Sequence, residues 1–230
     1  MAKFIDIKGS NGGATKFIDI KGSDSGFAKF IVFEGIDGSG KTTQIKLLSD
    51  RFKKHNIPHI VTKEPTDGPI GKLCRSVLSG DMPMSTEALA LLFMADRAEH
   101  ISSEILPALE SGKYVLCDRY EYSNMAYQGI QPVRSSDRLD PDLTIFIDTD
   151  PEECTRRILH SRPNFEIYDG IENAKNIRAK YIEDFRRYKD WMPVEVISGV
   201  GRQDDVLARI LQLPVLSAIL SDGTGSWKNA

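Results

Sequence analysis

The chain has 230 residues, 40% hydrophobic and 27% charged, which suits one folded α/β domain with added ends and excludes wholesale disorder. A net charge of −3 supplies no basic field to gather nucleic acid. The longest stretches free of Asp, Glu, Lys and Arg are 12 residues, short of the roughly 20 apolar residues of a membrane-spanning helix.

Residues 3–10 read KFIDIKGS, and residues 16–23 repeat the phrase unchanged. Two copies are too few for a solenoid, so 1–26 is expected to be a flexible, engineered leader. Lys3, Asp6 and Lys8 break its apolar runs, which argues against a signal peptide. A nearly continuous apolar run over 27–33 predicts a buried strand, followed by a Gly-rich turn and a helix over 41–55 with Ile45, Leu48 and Phe52 on one face. A second strand is expected over 59–62, broken by Pro65, then helices over 70–78 and 86–110. Strands follow over 113–117, ending at Asp118-Arg119, and over 143–147. Asp150, Pro151, Glu152 and Glu153 are helix-start chemistry, so those acids read as structural. A helix over 172–189, a strand over 194–197 and a last helix from about Asp204 complete a domain placed at 27–220, with 221–230 a Gly/Ser-rich flexible tail. Strands alternating with helices predict a parallel sheet covered on both faces.

Three scattered cysteines, Cys74, Cys117 and Cys154, without a C-x-x-C pair, point away from a disulfide scaffold and toward a reducing cytoplasm. The four histidines lack the spacing of a zinc protease.

Gly35-Ile-Asp-Gly-Ser-Gly-Lys-Thr42 fits G-x-x-x-x-G-K-[ST] between a predicted strand and a predicted helix, the context a phosphate-binding loop requires. Gly35, Gly38, Ser39 and Gly40 let backbone N–H groups curl around phosphate oxygens, and the helix N-terminus carrying Thr42 and Thr43 adds positive potential. Lys41 is expected to neutralise the terminal phosphates of ATP, and Thr42 with Asp118 to hold Mg2+.

FEGIDGSGKTTQ, TKEP, LLFMADRAEH, DRYEYSNMAYQG and DPDLTIFID follow one another through most of 27–211, and in that order and spacing the chain resembles the thymidylate kinases. The resemblance implies a P-loop kinase fold with a five-stranded parallel sheet and a mobile lid. It also implies phosphorylation of dTMP to dTDP by Mg-ATP, a homodimer and a cytoplasmic setting. Carried over residue by residue, Asp37 resembles the carboxylate that holds the acceptor's 3′-hydroxyl. Phe93 and Arg97, four apart on one helix face, resemble the ring stacked on thymine and the guanidinium that bonds its O4. Asn124 resembles the amide that reads the N3 edge, and Tyr127 the ring that crowds a ribose 2′-position. Arg119 resembles the arginine that grips the acceptor and transferred phosphates. Lys63-Glu64-Pro65 stands where Arg-Glu-Pro is frequent, so Lys63 meets the acceptor phosphate without a bidentate fork. Arg162 lies where a lid cation over ATP belongs, with Arg157 the second candidate; Glu166 and Gly38-Ser39 stand where related enzymes carry arginine.

A monoester phosphate with a second pKa near 6 is largely dianionic at neutral pH and needs no general base. Catalysis then consists of positioning and charge neutralisation by Lys41, Arg119, a lid arginine and Mg2+. Two rival activities stay open on sequence alone. One is a deoxynucleoside kinase using Glu64 as base, the other a kinase for another pyrimidine monophosphate. A nucleotide-binding module without transfer activity is a third, of a different class.

Overall fold

The structure is a computed structural model that describes residues 28–132, 138–161 and 166–222. The expectations for the leader at 1–26, for Arg162 and for the tail beyond 222 lie outside those residues.

Five strands form one parallel sheet in the order β2-β3-β1-β4-β5: β1 Phe30–Glu34, β2 His59–Lys63, β3 Tyr114–Asp118, β4 Leu143–Asp148 and β5 Glu195–Ser198. Each predicted strand is present, its ends at most three residues from those expected. All five residues of β1 are buried, and they alternate between the two faces. Ile31 and Phe33 pack with Ile45, Leu48 and Phe52 of α1 (Lys41–Lys54) and with Val206, Leu207 and Ile210 of α8 (Gln203–Leu211). Phe30 and Val32 face Ile105 and Ala108 on the other side. A third apolar cluster joins α5 (Glu121–Gln128), α6 (Pro151–Ser161) and α7 (Ile171–Tyr188) through Met125, Cys154, Ile177 and Tyr181. The remaining helices are α2 (Pro69–Leu78), α3 (Thr86–His100), α4 (Leu106–Glu110) and α9 (Pro214–Asp222).

Three elements differ from the sequence expectation. The helix expected over 86–110 widens into a π turn at Ile101–Ile105 before α4. Pro107 accounts for it: a proline lacks the N–H for residue 103's carbonyl and crowds it, and a wider turn relieves both. The helix α5 was not foreseen, and its start explains why. Its first turn is capped by Glu34 of β1, whose Oε1 accepts from the backbone N–H of Tyr120 (2.9 Å) and Ser123 (3.2 Å). Such a cap leaves no local signal. The final helix is two, because the chain turns after Leu211 and Pro214 starts α9 at its first position; α9 also takes in Ser221 and Asp222, which the sequence assigned to the tail.

In this strand order the connection from β1 runs toward β2 and that from β3 toward β4, so the chain leaves adjacent strands in opposite directions. A crevice opens there, at the carboxyl ends of β1 and β3, where α/β sheets bind ligands. Register brings Phe33 and Lys63 level with Asp118.

Candidate active site

The turn after β1 opens into that crevice. Gly38 has φ +78°, and a Cβ there would stand 2.4 Å from the carbonyl oxygen of Cys154, so α6 packs against the loop backbone as only glycine permits. Lys41 begins α1, and its buried ammonium donates to the carbonyls of Gly35 and Ile36, both at 3.0 Å. Burial lowers its pKa, and the charge of Arg119 adds to this against the opposing pull of Asp118, Asp37 and Glu34. The next residue, Thr42, donates its hydroxyl to Asp118 Oδ2 at 2.7 Å.

Asp118 ends β3, and Arg119 turns the chain into α5 with φ +75°, a left-handed conformation rare for a side chain of its size. Holding it there costs about 1–3 kcal/mol, and its backbone N–H donates to Phe33 O at 2.9 Å. The reward is orientation. Arg119 Nη2 donates to Asp37 Oδ1 at 2.7 Å and to the Tyr127 hydroxyl at 3.2 Å, while Nη1 donates to Ser123 Oγ at 2.9 Å. The guanidinium also lies 4.9 Å from the centre of the Tyr127 ring.

Two clefts meet at this arginine. The larger, about 790 Å³, runs along the P-loop past Arg157 to Gly199, Gly201 and Gln203. Gln44 of α1 fixes that far wall by donating to Gln203 O at 3.0 Å. The smaller, about 240 Å³, contains Phe93, Arg97, Asn124 and Tyr127 together with Gln128 and Tyr168. Asp37, Lys63, Glu64 and Arg119 border both. Apart from Gly35, every described residue assigned to the nucleotide sites from the sequence lines one of the two clefts.

Two assignments change in detail. Arg97 is not a free fork: its Nε and Nη2 both bind Glu64 Oε2, at 2.9 and 2.8 Å, in a buried pair. Burial works against the guanidinium's charge, yet Glu64 beside it raises its pKa overall. Glu64 Oε1 is taken by His100 Nδ1 at 3.2 Å. Both oxygens of the Glu64 carboxylate are thus engaged, an arrangement that holds Arg97 and His100 in place. Lys63 is exposed and pairs with Asp67 at 3.2 Å, which also binds Arg75 at 3.1 Å.

Among the described residues the cation nearest the nucleotide cleft from α6 is Arg157, whose Nη1 donates to Gly38 O at 3.2 Å while Glu153 holds its Nε at 2.8 Å. Glu153, expected to serve the helix start, thus also aims an arginine at the loop.

The sequence did not single out Glu34, Ser123, Tyr181 or His100. Glu34 is the one acid of β1, and unlike the acids that end β3 and β4 it is fully buried. Tyr181 left no trace, because its partners lie more than a hundred residues away in the chain for Glu34 and on another helix for Ser123.

A family model described as thymidylate kinase matches residues 33–201. A probable thymidylate kinase of Pyrococcus abyssi is 40% identical over 190 residues, covering 76% of this chain and 92% of that protein. Its counterpart in Pyrococcus horikoshii is 41% identical over 191 residues, covering 77% and 91%. One from Methanococcus aeolicus is 45% identical over 154 residues, covering 64% and 74%. The matched stretch takes in the P-loop, the helix carrying Phe93 and Arg97, and the Arg119 turn with α5, and on that extent the chain belongs to the thymidylate kinase family.

Proposed function

We propose that the chain transfers the γ-phosphoryl group of ATP, with Mg2+, to the phosphate of dTMP, giving dTDP and ADP, as a cytoplasmic homodimer. The observation that carries this is the meeting of a P-loop cleft and a smaller, ring-walled cleft on one guanidinium, that of Arg119. ATP occupies the larger cleft, its phosphates along residues 35–43 with Lys41 at the terminal oxygens, and Arg157 or Arg162 supplies the further cation. The pyrimidine of dTMP occupies the smaller cleft against Phe93, with Arg97 at O4 and Asn124 at N3. Tyr127 and Asp37 border the sugar, and Lys63 and Arg119 meet the phosphate. Among the described residues no helix is long and apolar enough to cross a membrane.

Thr42 and Asp118 fit Mg2+, since both offer hard oxygen atoms 2.7 Å apart beside the P-loop. No group of three or more His, Cys, Asp or Glu able to hold a metal occurs among the described residues, which suits an ion that takes most of its ligands from phosphates and water. Bound there, the ion would offset the negative charge of the phosphate oxygens. The protein's own part is to aim two anions at each other. Lys41 and Arg119 offset their repulsion, Asp37 and Ser123 fix the guanidinium, and the dianionic acceptor needs no base.

ADP release with dTMP, dUMP and thymidine at equal concentration tests this directly. Fast turnover on dTMP and little on thymidine is expected; turnover on thymidine alone would overturn the assignment. The dUMP rate should fall by no more than one buried methyl allows, about 1–3 kcal/mol. Asn124→Ala should lower kcat/KM for dTMP by about 10- to 100-fold, the cost of an unmet polar edge, and leave KM for ATP unchanged.

A pH effect also follows. The protonated ammonium of Lys41 is the active form, and burial lowers its pKa. Activity in kcat/KM for ATP should therefore fall on the alkaline side at a lower pH than a solvent-exposed lysine would give. Arginine cannot produce such a limb, because it stays charged.

A further inference from the structure

Glu34 has no solvent exposure and accepts four hydrogen bonds. Its two oxygens do different things. Oε1 receives two backbone N–H groups, of Tyr120 and Ser123, and so caps α5. Oε2 receives two hydroxyls, Ser123 at 2.6 Å and Tyr181 at 2.9 Å. Those same hydroxyl oxygens face Arg119 Nη1, at 2.9 Å for Ser123 and 3.5 Å for Tyr181. Asp37 holds the other end of the guanidinium, at Nη2.

We infer that Glu34 is a positioning residue for the transferring site, acting on Arg119 through the Ser123 and Tyr181 hydroxyls. This rests on the assignment of Arg119 to the phosphates made above. A hydroxyl has one proton to give. With Glu34 Oε2 as an obligate acceptor, the Ser123 proton turns inward and its lone pairs turn to Nη1. The guanidinium then meets an acceptor at one end and the Asp37 carboxylate at the other, which fixes its plane at the mouth shared by the two clefts.

Glutamine at 34 would keep the shape and reverse the polarity at one atom only. The two backbone N–H groups hold its oxygen at the Oε1 position, so its NH2 must stand at the Oε2 position. The hydroxyls then accept from that NH2, and the Ser123 proton, no longer claimed by Oε2, is shared between the Tyr181 hydroxyl 2.9 Å away and the side facing Nη1, so Arg119 loses an acceptor of fixed orientation. A helix cap alone predicts none of this, because the cap stays intact.

The experiment is a steady-state comparison, on the full chain with Mg-ATP and dTMP, of Glu34→Gln, Ser123→Ala, Arg119→Lys and the Glu34→Gln/Arg119→Lys double variant. Thermal unfolding of each checks the fold. Glu34→Gln should lower kcat by about 100-fold, as a misplaced catalytic group does, with KM for ATP within about twofold. Ser123→Ala cuts the link and leaves the cap, and should lower kcat by about 10-fold or more on the same argument. In the Arg119→Lys background, Glu34→Gln should slow turnover by less than about threefold, since the group it positions is gone. Undiminished kcat in Ser123→Ala, or an equal slowing by Glu34→Gln with and without Arg119, would overturn the inference. If Glu34→Gln does not fold, Ser123→Ala decides alone. Full activity in Arg119→Lys would instead sink the Arg119 assignment itself, and this inference with it.

Discussion

Replacing Lys41 with alanine should abolish turnover, with kcat reduced by about 10³-fold or more, while the chain still folds. The size follows from where the ammonium sits. It is buried at the P-loop wall, in the crevice at the carboxyl ends of β1 and β3, and its charge is desolvated before any substrate arrives. A charge held in a low-dielectric setting acts on phosphate oxygens far more strongly than one in water. Its present partners, the carbonyls of Gly35 and Ile36, hold it in the P-loop, where the proposed ATP phosphate would take their place. Loss of the side chain leaves those carbonyls facing a wet cleft, so the fold loses little, about 1–3 kcal/mol. ADP release and thermal unfolding on the same sample check both halves. A retained rate would contradict the placement of ATP phosphate on residues 35–43.

The largest expected loss of stability comes from Glu64→Ala. Glu64 and Arg97 form a buried pair, with side-chain exposures of 3% and 10%, and His100 occupies the carboxylate's second oxygen. Removing one member of a buried pair strands the other charge, at a cost of about 3–5 kcal/mol. A denaturant titration should show that loss as a lower midpoint with little change in slope. The same substitution frees Arg97 to rotate away from the smaller cleft, so KM for dTMP should rise while KM for ATP holds. Glu64→Gln separates two explanations. Both readings share the loss of the buried ion pair, but a positioning carboxylate replaced by its isostere leaves an enzyme that still turns over, whereas a general base so replaced leaves no activity.

What the sequence disclosed, and what it withheld, follows from how far apart the interacting residues lie. The phosphate-binding loop was readable because all its parts fall within residues 35–43, and strand and helix on either side confirmed it. Phe93 and Arg97 could be placed together because one helix turn separates them. The identity of Arg97's partner could not be, since Glu64 reaches it only through the return of β2. The helix α5 was missed for a related reason: the group that starts it is donated by a strand 89 residues earlier. Arg119 was found by its motif, yet its left-handed backbone and its four side-chain partners are properties of the assembled site. The choice between Arg157 and Arg162 depends on side-chain direction, and only Arg157 falls among the described residues.

The central place of β1 in the sheet bears on how the protein is made. It is the first described strand to leave the ribosome, and all five of its residues end up buried. Its two sheet neighbours come much later: Phe30 pairs with Val115, and Ile31 with Leu143. At roughly 5–20 residues per second, several seconds pass during synthesis before either neighbour exists. Through that interval Phe30-Ile-Val-Phe33 is an apolar segment of high strand propensity with nothing to pair with, the kind of sequence that seeks another copy of itself. Slowing translation beyond Glu34 should lower the soluble yield of this kinase, and a holding chaperone should restore it.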